Sequence, residues 1–84
     1  MDPAVVLEEL ELILASPHFR NSKRYPALLR FVVERTLEGR AAEIKERSIA
    51  VDVFGREADY DPGVDPVVRV SAGEVRKRLA QYYQ

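Results

Sequence analysis

The 84-residue chain has no cysteine, no tryptophan, one methionine and one histidine. Without cysteine there is no disulfide framework and no thiolate metal site. The single histidine, His18, stands between Pro17 and Phe19 in a connector. No neighbouring pattern supplies the partner and pocket that a general base or nucleophile needs. Ser71 carries no nucleophile motif and reads as a small packing residue. The glycines (39, 55, 63 and 73) are scattered, so there is no phosphate-cradling loop. No apolar run approaches the ~18 residues of a membrane-spanning helix, and no charged-then-apolar leader opens the chain, so a cytoplasmic location is expected. Asp59, Asp61, Gly63 and Asp65 start like a calcium loop. The next positions break the pattern, with Gly63 fifth, Val64 sixth and Val70 twelfth. The expectation is a non-enzymatic protein with no cofactor and no bound metal.

What remains is a globular composition, 46% hydrophobic and 32% charged, which excludes a disordered chain. The length fits one domain over residues 1–84, with modest stability. The net charge of −1 conceals blocks of −4 over residues 1–16, +4 over 17–40, −4 over 41–65 and +3 over 66–84. Local fields of this kind, more than the total, attract charged partners. The pI of about 5.8 is low for a nucleic-acid binder, whose footprint is usually basic.

Spacing and punctuation predict four helices. Helix 1 is expected from Pro3 to Ala15, capped by Asp2 and stopped by Ser16-Pro17, with Val6, Leu10, Ile13 and Leu14 inward. Helix 2, from about Tyr25 to Glu38, carries apolar residues around most of its circumference. It should therefore be the central helix, ending at Gly39. Residues 41–47 read ambiguously as a helical turn or a short extended piece. A short helix 3 over 48–54 is expected, with Ser48 as its cap and Gly55 after it. Residues 56–64 read as a polar loop. Helix 4, over 65–83, begins at Asp65-Pro66 and buries Val68, Ala72, Val75, Leu79 and Tyr82. The fold class expected is all-α, a four-helix small domain with a helix-turn-helix-like pair formed by helices 3 and 4.

At 100° per residue, Arg69 and Arg76 share one flank of helix 4, with Gly73 between them and Lys77 further round. A short helix, a connector and a longer helix with outward arginines is helix-turn-helix organisation. Double-stranded DNA is the expected partner. Arg69 would meet base edges; Arg76 and Lys77 would meet phosphates; Gly73 would let the helix lie close to a backbone. Lys45 and Arg47 would hold a phosphate at the start of helix 3. A symmetric dimer is implied for so acidic a chain. The alternative function is a helical protein–protein interaction or self-association module, with the opposite charge blocks pairing between copies. In that case the same arginines would meet an acidic surface.

RSIAVDVFGR, a polar loop and VDPVVRVSAGEVRKRLAQYY together resemble the winged helix-turn-helix effector domains of response regulators. The resemblance covers about residues 44–84 and rests on the Phe54-Gly55 pair and on Val75-Arg76-Lys77-Arg78-Leu79, which matches an L-R-x-x-L-like signature. It implies DNA binding in transcription control through helix 4. The wing hairpin and the N-terminal sheet of that family have no counterpart here. YPALLRFVVERTLEGR, with IKERSIAVDVFGR and the DP-VRV stretch, also looks like an N-terminal helical module of multidomain bacterial proteins that carry tetratricopeptide repeats.

Overall fold

The computed structural model describes residues 2–84, which form an all-α domain. Its helices are α1 (Pro3–Ala15), α2 (Arg24–Leu37), α3 (Glu46–Asp52) and α4 (Val67–Tyr82), with a single 3-10 turn over Ala41–Glu43. The terminal punctuation works as expected for α1. The Asp2 carboxylate accepts the Ala4 N–H at 2.9 Å, and Pro3 occupies the first helical position. Ser16 leaves the helix in an extended conformation, and its hydroxyl donates to the Ile13 carbonyl at 2.6 Å.

The end of α2 shows why a glycine follows it. Gly39 has φ of +74°, the left-handed region open to glycine. Its N–H donates to the Thr36 carbonyl at 3.1 Å and the next N–H, of Arg40, reaches the Arg35 carbonyl at 2.8 Å. Together these satisfy carbonyls that a helix end leaves open.

Helix α3 corrects the sequence expectation. It starts at Glu46, two residues before Ser48, and Lys45 precedes it without a side-chain cap. Glu46 places an acid in the first turn, against the positive end of the helix dipole, and this replaces the expected serine cap. Helix α4 starts at Val67, yet Asp65 still caps it: Asp65 Oδ1 accepts the Val67 N–H at 3.1 Å.

Helix α2 is the centre. Leu28, Leu29 and Phe31 are buried, and α1, α3 and α4 surround it to different extents. Leu10 and Ile13 of α1, Ile49 and Ala50 of α3, and Val67, Val68 and Val75 of α4 complete the core. Each such side chain removed from water contributes roughly 1.5–3 kcal/mol for the larger residues. Two core members come from connectors that read as polar. Phe19, in the turns between α1 and α2, is 0% exposed, and Tyr60, in the connector between α3 and α4, is buried. The Phe19 ring closes the end of the core where α1 turns into α2, so the basic connector is anchored by one apolar residue.

Arg78 fixes the far end of α4. Its Nε donates to Glu74 Oε1 at 3.1 Å, its Nη1 donates to the His18 carbonyl at 2.9 Å, and its guanidinium lies 4.5 Å from the Tyr25 ring centre. The half-buried His18 ring meets Tyr82 edge-on at 6.4 Å. This arginine is therefore a strut between α4, α2 and the first connector, and it bonds neither to α1 nor to the acids of the 57–65 loop.

Two substitutions test this core by urea unfolding. Phe19→Ala should cost about 3–5 kcal/mol, because no neighbouring helix can collapse into the gap. Ser71 is 1% exposed and its hydroxyl finds no partner. Ser71→Ala should therefore raise stability by about 1 kcal/mol, since an unsatisfied buried hydroxyl is removed.

Candidate nucleic-acid interface

The position of α4 on α3 is set by the 14 connecting residues 53–66, and these are held by side chains. Tyr60 inserts its ring into the core and its hydroxyl donates to the Asp65 carbonyl at 2.6 Å. Arg56 Nε donates to Asp65 Oδ2 at 2.8 Å and its Nη1 reaches the Phe54 carbonyl at 3.3 Å. Asp61 makes the expected turn, its Oδ1 accepting the Gly63 N–H at 2.9 Å. The connector is a tied loop whose last residues orient the first turn of α4.

Two of the sequence-selected cations serve this loop. Arg47, on α3, donates from Nη2 to the Tyr60 carbonyl at 3.3 Å. Arg69, on α4, donates from Nη2 to the Pro62 carbonyl at 3.1 Å, and its Nη1 stands 3.8 Å from Glu46 Oε1. The two arginines thus grip the connector from opposite helices. Both remain exposed, and a guanidinium has five N–H donors, so each keeps donors directed to solvent. Lys45 is also exposed, immediately before α3. Because Glu46 takes the positive end of α3, Lys45 and Arg47 act there through side-chain charge rather than through the helix amides.

Further along α4 the surroundings change. Arg76 and Lys77 are exposed, and among the described residues neither has an acid within ion-pair distance. Val70, one turn before Gly73, is exposed on the same outward side. Gly73 lies mid-helix, and a Cβ added there would meet nothing within 4 Å. A helix-interior glycine costs about 1 kcal/mol relative to alanine. Nothing inside this fold requires it. The outward surface of α4 therefore presents Arg69, Val70, Gly73, Arg76 and Lys77, while the inward stripe is spent on α2 and α3.

Sequence reasoning overlooked Val70, Glu46 and Pro62. Val70 was legible, since it falls opposite the buried stripe of α4. The acceptors for Arg47 and Arg69 were not, because each depends on how the connector folds back over both helices. No family model, curated protein or solved structure matches this chain.

The Arg56–Asp65 contact generates a pH prediction. The hydrogen bond from Arg56, reinforced by the Val67 N–H, holds the Asp65 carboxyl below the usual aspartate range, against its partial desolvation. An acid depressed in the folded state stabilises the fold above its unfolded value of about 3.9 and stops doing so as pH falls through the folded value. In thermal melts followed by circular dichroism, Asp65→Asn should destabilise the protein at neutral pH. The difference from the unsubstituted chain should shrink below about pH 4 and vanish in stronger acid.

Proposed function

We propose that this domain binds double-stranded DNA without catalysis, in transcription control, by laying the outward face of α4 in the major groove. The observation that carries the reading is the pair of exposed cations without acid partners, Arg76 and Lys77, next to a glycine that the fold itself does not need. Gly73 permits close approach of a phosphate backbone or base edge, and Val70 offers an apolar contact of the kind a thymine methyl accepts. Lys45 and Arg47 extend the cationic surface from α3, and Arg69 stands at the start of α4 where a recognition helix meets base edges. The support from α3 and the tied connector holds α4 in place before any contact is made, which lowers the ordering cost of binding.

Fluorescence anisotropy with duplex DNA at ~50 mM and ~200 mM salt tests the reading. Affinity should fall by ~10-fold or more between the two, as counterions are released from several phosphates. Lys77→Ala should weaken all sequences alike and flatten the salt slope, whereas Arg69→Ala should change sequence preference. Gly73→Ala separates folding from binding: it should stabilise the domain by roughly 0.5–1 kcal/mol and still weaken DNA binding. Flat anisotropy at both salts contradicts the proposal.

A further inference from the structure

The helices do not enclose α2 completely. Helices α1 and α4 meet at their C-terminal ends, where the Tyr83 hydroxyl donates to Glu9 Oε1 at 3.0 Å and Tyr82 touches His18. Away from that junction a groove of about 450 Å³ opens between α1, α2 and Tyr83, lined by Val5, Val6, Leu10, Ile13, Leu29 and Val33. It continues along α2 past Thr36 and Leu37, and over Val32 to Arg76 on the α4 side. The domain is correspondingly flat, 36 × 27 × 17 Å, with a radius of gyration of 13.2 Å. A compact 84-residue domain is expected near 12 Å.

Helix α1 also carries apolar side chains that its own fold leaves outside. Val5 and Leu12, one heptad apart on the outward side, are 59% and 61% exposed. Glu8 shares that side and has no ion-pair partner among the described residues, whereas Glu11 is engaged by Arg30 at 2.7 Å. Val5 belongs both to this outward stripe and to the groove wall. The groove therefore offers an apolar floor with an unpaired cation, Arg76, on its α4 side, and α1 offers an apolar stripe with an unpaired acid.

We infer that a second copy of this chain fills the groove, its α1 entering beside the first copy's α1 in an antiparallel, two-fold arrangement. In that arrangement Val5 and Leu12 of each copy cover the apolar floor of the other, and Glu8 of each meets Arg76 of the other. The contact is self-complementary, so it closes at two copies. The −4 block of residues 1–16 then lies along the +3 block of residues 66–84 of the partner copy, which also supplies attraction at long range. The inference does not depend on the DNA reading, since both the groove and the α1 stripe are defined without it.

Multi-angle light scattering across a concentration series, without DNA, tests it. The chain should reach the mass of two copies. Val5→Glu combined with Leu12→Glu should leave the mass of one copy with unchanged helicity, because both residues are exposed in the single chain and the fold does not need them. Glu8→Arg should weaken association about tenfold or more, as expected for a close charge pair reversed, and adding Arg76→Glu should restore it. A mass of one copy at all concentrations overturns the inference, as does growth beyond two copies. A double variant that still pairs, or a charge reversal that the second substitution fails to rescue, also overturns it.

Discussion

Everything in this structure depends on burying α2. Its apolar residues Leu28, Leu29, Phe31, Val32 and Val33 lie around most of the helix, so no single neighbour can cover them. Three short helices divide the task. Helix α4 devotes the stripe from Val68 through Val75 to it, α1 contributes Leu10 and Ile13, and α3 contributes Ile49 and Ala50. An 84-residue chain has few apolar groups to spare, and the two connectors must each send in one aromatic ring, Phe19 and Tyr60, to finish the core. The inner face of α4 is fixed by this demand. Its outer face is left free to carry charge.

The second constraint is the connector between α3 and α4. A loop of this length is floppy unless it is paired, and here Tyr60, Arg56 and Asp65 pair it internally while Arg47 and Arg69 hold it from the two helices. The arrangement gives those two arginines a dual character. They stabilise the loop through one N–H group each, and they still add positive charge to the surface that α4 presents. Arg76 and Lys77 have no such internal duty. The acidic residues of the domain are drawn into other contacts: Glu74 with Arg78, Glu43 with Arg40, and Asp65 with Arg56. A cationic face survives on a chain of net charge −1 because many of its acids are answered elsewhere.

Much of the fold was legible before any coordinates. The three- and four-residue spacing in α1, α2 and α4, the Asp2-Pro3 start and the Gly39 stop are local signals, and the structure contains the helices they indicate. The start of α3 was misjudged because Ser48 has the better intrinsic capping side chain, while the helix instead begins with the dipole contribution of Glu46. The buried roles of Phe19 and Tyr60 were invisible because single aromatics in loops have no periodicity to reveal them. For the candidate interface, the outward placement of Arg76, Lys77 and Gly73 followed from the helical wheel. The carbonyl partners of Arg47 and Arg69 did not, since they depend on the path of the connector. The groove was equally hidden, because it arises from α1 and α4 meeting at one end only.

The central claim is that the outward face of α4, with the start of α3, is where a duplex is held. Amide chemical-shift mapping of isotope-labelled protein during titration with a short duplex tests this residue by residue. Shifts concentrated at Lys45 to Arg47 and from Arg69 to Lys77, with the inward stripe of α4 little changed, are the predicted result. Shifts confined to α1 and the groove beside it, or no shifts while the duplex is in excess, would contradict the account.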